Sequence, residues 1–258
     1  MADSSLTRTI SSAGSLTTWT FSAWVKLSEG TSANLGLFSQ GSSGDNVTSI
    51  FFNHDNGSHR LEWRQYQSGA YTARKTTNRA FNDRSGWYHI VCQWDSTNGT
   101  AGDRMKIYIN GVQETSFGTS QQTNGFDQNS DTHFNQGSKT EYIGRYDSSY
   151  ANFNLAHYHF VDGTALTPTT FGETDSTTGE WKAKLNPSVT YGTHGFFLKF
   201  ENSGALGTDS SGNSKTFTVV GNLKQSNSNP SNTFPTLDDL QIKNANKVFN
   251  AGTTQLSY

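Results

Sequence analysis

The chain reads as an all-β antiparallel sandwich or jelly roll, and three observations say so. Apolar residues recur at every second position along most of the sequence. Clusters of Gly, Ser, Asn and Asp separate these runs, as turns require. Helical periodicity is nearly absent. Composition agrees: of 258 residues, 13% are aromatic, 16% are charged and 25 are Gly. The 32% hydrophobic fraction is low, yet 17 Phe, 10 Tyr and 6 Trp are too many aromatics for a disordered chain. At roughly 150–250 Å² each, burying most of them makes a sizeable core.

The first long element, residues 17–27, alternates Trp19, Phe21, Ala23, Val25 and Leu27 against Thr20, Ser22, Trp24 and Lys26, which predicts a half-buried strand. Comparable runs occupy 35–40, 48–53, 60–66, 87–94, 104–110 and 112–117, then 141–145, 153–161, 195–201 and 215–220. Asn110-Gly111 lies between two of them and predicts a type I′ hairpin, because both central residues must take positive φ. One short helical turn is expected at 167–171, with Thr167 as N-cap and Pro168 at the first helical position. Past Gly221 the sequence turns linker-like, so residues 1–228 are assigned to the sandwich and 229–258 to an extended C-terminal linker and attachment tail. That tail is too short for a core of its own.

Charge and termini exclude several classes. A net charge of -2 lacks the basic footprint of a nucleic-acid binder. No apolar run reaches the ~18 residues of a membrane span, so no membrane insertion is expected. The start, Met1 to Arg8, shows no secretory leader. Cys92 is the single cysteine, which excludes an intrachain disulfide and fits folding in a reducing cytoplasm. It alternates with Ile90 and Trp94 and reads as a small core residue.

Trp87-Tyr88-His89-Ile90-Val91, followed by Asp103-Arg104-Met105-Lys106-Ile107-Tyr108-Ile109-Asn110-Gly111-Val112, resembles the central hairpin of laminin-G-like, concanavalin-A-like jelly rolls. The surrounding segments narrow the likeness. Leu6-Thr7-Arg8-Thr9, Trp19-Thr20-Phe21-Ser22-Ala23-Trp24-Val25-Lys26 and Tyr142-Ile143-Gly144-Arg145 resemble a lectin-like domain common in tailed-phage structural proteins. So do Phe160-Val161-Asp162-Gly163-Thr164-Ala165-Leu166-Thr167-Pro168, Gly192-Thr193-His194-Gly195-Phe196-Phe197-Leu198 and Asn229-Pro230-Ser231-Asn232-Thr233-Phe234. The pieces keep the family's order across roughly residues 4–236. His157 departs from it, standing where the family usually has an acidic residue. The resemblance implies a virion component, such as a tail fibre, a spike, or a capsid fibre or decoration.

Several constellations are weighed for chemistry. For carbohydrate, Trp63, Tyr66 and Tyr71 with Arg60, Arg64 and Arg74 form one group, and the loop aromatics Phe126, Tyr146 and Tyr150 another. Such aromatics stack on sugar faces while polar groups fix hydroxyls. The competing reading puts Leu61 and Trp63 in the core and leaves Arg60, Glu62 and Arg64 on a solvated outer face. For metal, Asp127, Asn129 and Asp131 place oxygen ligands at every second residue, which suits calcium, although an EF-hand's glycine and closing glutamate are missing. His157 and His159 share a strand face but lack the third ligand of a zinc site. For glycoside cleavage, Glu173, Asp175 and Glu180 have the wrong spacing for a carboxylate pair about 5–5.5 Å apart; they read as groups that cap or solvate a turn.

The expectation is therefore a non-enzymatic phage virion structural protein, exposed on the particle and adhering to host-surface glycans. Its partners would be other virion proteins, capsid or tail. By analogy with phage appendages it would be a homo-oligomer, trimeric, with Ile242, Val248 and Phe249 in an attachment arm. The alternatives are a free carbohydrate-binding lectin module, calcium-dependent or not, and, third, a glycan-cleaving enzyme.

Overall fold

Alternation in the long strand is what builds the sandwich, since one set of side chains must leave water on each sheet. A computed structural model describes residues 3–28, 33–42, 45–118, 127–226 and 228–230, together with the backbone of Val248–Phe249 and Leu256–Ser257. In chain order the strands are β1 (Ser5–Thr9), β2 (Thr18–Leu27), β3 (Leu35–Ser42), β4 (Asp45–Asp55), β5 (Ser58–Gln67) and β6 (Ala70–Thr76). Next come β7 (Tyr88–Asp95), β8 (Met105–Ile109), β9 (Val112–Gln113), β10 (Thr140–Ile143), β11 (Arg145–Tyr146), β12 (Ser149–Tyr150) and β13 (Phe153–Asp162). Four short strands follow: β14 (Gly172–Thr174), β15 (Trp181–Ala183), β16 (Phe196–Leu198) and β17 (Thr218–Val220). Two sheets result, a seven-stranded one ordered β17-β1-β10-β3-β4-β5-β6 and a six-stranded one ordered β16-β13-β2-β7-β8-β9. All their pairings are antiparallel.

Between the sheets lies one aromatic core. Trp19 meets Trp63 with ring centroids 5.0 Å apart, and Phe134 and Phe160 crowd its other sides. Phe21, Phe38, Tyr158 and Phe196 continue the stack. Two of the buried ring donors are partnered: Trp19 Nε1 donates to Thr132 Oγ1 at 2.9 Å and Tyr158 OH to the Leu37 carbonyl at 3.0 Å. Arg8 and Glu141, opposite each other on β1 and β10, point inward as an ion pair 2.6 Å long.

The expected hairpin at Asn110-Gly111 forms, with φ of 50° and 81° joining β8 to β9. The expected helical turn is a 3-10 turn at Pro168–Thr170; Thr167 precedes it in extended backbone, but its side chain makes no capping bond. Two expectations are corrected. β2 is not half-buried, because Thr20, Ser22 and Trp24 on its second face are buried as fully as the first. The reason is a covering segment, residues 164–195, which folds back over the six-stranded sheet. It buries Phe171 and Tyr191 against Val91, Val161 and Phe197 of the sheet in a second, smaller core. Second, residues 172–174 are a strand and not a turn, since β14 pairs with β15. The strands β1 and β6 were not foreseen. β1 carries an inward Arg8, and β6 is an edge strand of mostly polar residues.

Val248–Phe249 and Leu256–Ser257 pair with one another as β18 and β19. Ile242 lies outside the described residues, so the attachment arm stays an expectation. No helix among the described residues is long and apolar enough to cross a membrane.

Candidate functional site

Outward-facing side chains of the seven-stranded sheet form an open pocket of about 450 Å³. β5 alternates Leu61, Trp63 and Gln65 inward with Arg60, Glu62, Arg64 and Tyr66 outward. β4 likewise turns Ile50 and Phe52 inward and Val47, Ser49 and Phe51 outward. Pairing of β5 with β6 sets Tyr66 opposite Tyr71, with ring centroids 5.0 Å apart and nearly perpendicular. Pairing of β10 with β3 sets Tyr142 opposite Ser39.

The fourth wall comes from β11, which crosses over β3 at Gly36. A Cβ at that glycine would collide with the Arg145 backbone carbonyl, so only glycine admits this approach. Ser39 Oγ donates to the Arg145 carbonyl at 3.0 Å and fixes the crossing. β11 thereby lays Tyr146 flat on Phe51, with centroids 4.2 Å apart and planes 7° from parallel.

Beneath this wall sits an electrostatic layer. Glu62 is fully buried and accepts from Arg74 Nε and Nη2 (3.2 and 3.0 Å), Thr76 Oγ1 (2.8 Å) and Arg64 Nη1 (3.4 Å). Burial works against the Arg74 charge, but the hydrogen bond and charge of Glu62 outweigh it and hold its pKa above the ordinary value. Arg64 lies 4.9 Å from both the Phe51 and Tyr146 ring centres and donates to Tyr71 OH at 3.2 Å. Arg145 lies 4.8 Å from the Tyr142 ring and 5.5 Å from Tyr150, and its Nε donates to the Asp147 carbonyl at 2.7 Å. Rigid aromatics, ordered guanidinium groups and two serine hydroxyls (Ser39 and Ser49) thus line a concave surface of the size used for small ligands, ~300–1,000 Å³.

The sequence candidates separate cleanly. Tyr66, Tyr71 and Arg64 from one group meet Tyr146 from the other in a single pocket. Trp63 is corrected: at 1% exposure it is a core residue packed on Trp19 and Trp94. The solvated outer face expected for Arg60, Glu62 and Arg64 is also corrected, because Glu62 is buried and Arg60 Nη1 is spent on the Asn78 carbonyl. Tyr150 flanks Arg145 behind the pocket, and Phe126 lies outside the described residues. Tyr142, Arg145, Ser39 and Ser49 were missed as site residues. Their one local signal is the alternation of 141–145, which puts Tyr142 opposite in face to Ile143.

The remaining candidates stand elsewhere. Asp127, Asn129 and Asp131 are exposed. Their loop is held by protein hydrogen bonds, Asn129 N to the Ser96 carbonyl and Gln65 Nε2 to the Asp131 carbonyl, both 2.8 Å. Calcium takes six to eight oxygens, and three solvent-facing side chains supply too few, so the described residues do not make a calcium shell. Among the described residues no group of three or more His, Cys, Asp or Glu could hold a metal. His159 is buried in the second core, with Nδ1 2.8 Å from Tyr191 OH. Its burial, and then His157 and His89, hold its pKa well below the ordinary value. A β-bulge lies between Ala156 and His159, with His157 at φ 45°, and both histidine rings stack on Phe197, with centroids 6.3 and 3.9 Å away. Asp175 ties the β14–β15 turn by accepting the Thr177 and Thr178 N–H groups and Lys182 Nζ, while Glu173 is half exposed on β14.

A second groove of about 460 Å³ runs along the first half of β13, lined by Phe153, Leu155, Leu206 and Leu223 among others.

Compared with known proteins, residues 3–172 match the family model described as the concanavalin A-like lectin/glucanases superfamily. No curated protein matches. Among solved structures the chain is similar to a native heptameric SAP-like pentraxin from Limulus polyphemus, at 18% identity and TM-score 0.40 over 64% of this chain and 72% of that one. It is also similar to domain 4 of AbnA, an extracellular arabinanase from Geobacillus stearothermophilus solved with arabinotriose (18%, TM-score 0.42, 61% and 65%). A third likeness is to the enzymatically active domain of tailspike protein 2 of bacteriophage CBA120 (10%, TM-score 0.44), where 64% of this chain spans 25% of that one.

Proposed function

The chain belongs to the concanavalin A-like lectin/glucanase superfamily, and from that premise we propose that it is a glycan-binding jelly-roll domain carried on the surface of a phage particle. The observation that supports binding is the pocket of Arg64, Tyr66, Tyr71, Tyr142, Arg145 and Tyr146 on the open face of the seven-stranded sheet. Aromatic faces stack on the C–H faces of a sugar ring, and guanidinium and hydroxyl groups bond its oxygens. Preordered rings lose little conformational entropy on binding, because each has few torsions to fix.

Binding fits this pocket better than cleavage. A retaining glycosidase holds two carboxyl groups about 5–5.5 Å apart, one of them protonated. Among the described residues the lining carboxylate is Asp147, and the buried Glu62 is held by two arginines. The particle location rests on the ordered motifs shared with tailed-phage structural proteins, as do the virion partners and the trimer.

A glycan array probed with the wild-type chain and with Tyr146→Ala tests the reading. Saturable binding that the variant weakens about tenfold is the expected result; a flat array, or signal equal in both proteins, contradicts it. Gold-labelled antibody on purified particles tests the location, and absence of label from particles would leave a free lectin. Chelator leaves binding unchanged on this account, because the 127–131 loop does not form a calcium shell.

A further inference from the structure

Resting on the glycan-binding reading above, we infer that the pocket selects a saccharide bearing a carboxylate, such as a uronic or sialic acid, over its neutral counterpart.

Two arginines of the pocket carry unused donors. A guanidinium carries five N–H donors in a fixed planar fork and cannot lose its charge. Arg145 spends Nε on the Asp147 carbonyl, and both terminal nitrogens meet no protein acceptor among the described residues. Arg64 spends Nη1 on Tyr71 OH and, at a longer 3.4 Å, on Glu62; its Nη2 meets none, and its Nε is buried without an acceptor. Two forks with free terminal donors therefore flank one cavity.

Neighbouring acids do not neutralise them. Glu62 lies beneath the pocket and is engaged twice by Arg74 at 3.2 and 3.0 Å. Asp147, at the rim, makes no ion pair with Arg145 among the described residues; its backbone carbonyl is what the guanidinium holds. Arg64, Arg74 and Arg145 thus face Glu62 and Asp147, an excess of positive charge on a chain whose net charge is -2.

Both forks are also held in place. Arg64 lies against Phe51, Tyr71 and Tyr146, and Arg145 against Tyr142 and Tyr150, all with ring centres within 5.5 Å. An arginine pinned on aromatic faces keeps its fork oriented and loses less entropy when an anion arrives. A carboxylate meets such a fork with two parallel charge-assisted bonds, which a neutral hydroxymethyl group cannot form.

The test uses matched pairs: a galacturonate oligosaccharide beside its carboxyl-reduced galactose form, and a sialylated trisaccharide beside its carboxyl-reduced form. Titration of the full chain should give about tenfold tighter binding to the acid in at least one pair. Raising salt from 0.1 to about 0.5 M should shrink that advantage and leave the reduced sugar's affinity far less changed. Arg145→Gln should cost the acid about tenfold more affinity than it costs the reduced sugar, with near-UV circular dichroism reporting on its fold. If the variant does not fold, the salt series on wild type decides alone. Equal affinity within both pairs, or an array whose bound glycans are all neutral, overturns the selectivity and leaves the glycan reading standing. An array with no bound glycan overturns both.

Discussion

The two sheets treat their outer faces in opposite ways. On the six-stranded sheet the second face of β2, β7, β13 and β16 is roofed by residues 164–195, and His89, His159, Phe171, Tyr191 and Phe197 are buried there. On the seven-stranded sheet the corresponding face also carries aromatics and charges, and Arg64, Tyr66, Tyr71, Tyr142, Arg145 and Tyr146 stay half-exposed around a cavity. Where polar groups are roofed, water is shut out: His89 is engaged at both ring nitrogens, whereas Trp24 Nε1 and His159 Nε2 are buried with no partner among the described residues. His89 Nε2 lies 2.9 Å from Ser22 Oγ, and its Nδ1 accepts from Trp181 Nε1 at 2.9 Å. Where they are open, the arginines keep donors to spare. Similar residue types thus serve folding on one face and, on the function proposed above, recognition on the other, and the covering segment makes the difference.

Variants on each face should separate these roles. The largest effect is expected on the roofed face. Phe197→Ala removes a side chain stacked 3.9 Å from His159 and should cost about 3–5 kcal/mol of stability in urea unfolding. Glycan affinity of the folded fraction should not change; a parallel loss of affinity would mean that the faces are not independent.

Gly36→Ala is the bridge between the two roles. Its methyl group would push β11 off β3, costing about 1–3 kcal/mol as overpacking does. It should also displace Arg145 and Tyr146 and lower affinity more than tenfold. Unchanged affinity would show that β11 does not shape the site.

Acid should weaken the roofed face first. Burial, as the largest cause, lowers the pKa of His59, His89, His133, His157, His159 and His194, in the case of His89 to about 3 from 6.5. A histidine whose folded pKa is lowered contributes stability that is complete above its unfolded value and lost as pH falls below about 6.5. Glu141 acts the other way. Burial pushes it up to about 7 against the pull of Arg8, so its contribution fades as pH rises from 4.5 to about 7. Six groups outweigh one. Stability should therefore fall between pH 6.5 and 5, by up to about 1.4 kcal/mol per pH unit for each of the fully buried His89 and His159. Equal urea midpoints at pH 7 and 5 would contradict this.

The smallest change in stability belongs to the open face. Tyr71→Ala should lie within about 1 kcal/mol of wild type in urea, as half-exposed positions do. It should still lose about tenfold in glycan affinity, equivalent to about 1.4 kcal/mol.

Legibility in the sequence followed the same division. Period-two alternation showed the inner face of β2, the placement of Leu61 and Cys92 and the Asn110-Gly111 turn, because each depends on neighbours in sequence. The roof over Ser22 and Trp24 was not legible, since it comes from residues more than 130 positions away and leaves no mark on the local pattern. The pocket was half legible. Tyr66 and Tyr71 sit on one hairpin and were found together, whereas Tyr142 reaches the site through a register with Ser39 that no local signal sets. β1 was not foreseen, because Arg8 breaks its apolar alternation and is accommodated inward only by Glu141 on the partner strand β10.

The central claim is that the open face binds glycan while the roofed face does not. Tyrosine rings report on both: Tyr66, Tyr71, Tyr142 and Tyr146 line the pocket, whereas Tyr158 and Tyr191 are buried elsewhere. The decisive measurement is the NMR spectrum of ¹³C-tyrosine-labelled protein titrated with the strongest glycan from the array. The account predicts that the four pocket rings shift with one saturation curve while Tyr158 and Tyr191 stay in place. Saturable binding that leaves all four pocket rings unmoved would contradict it.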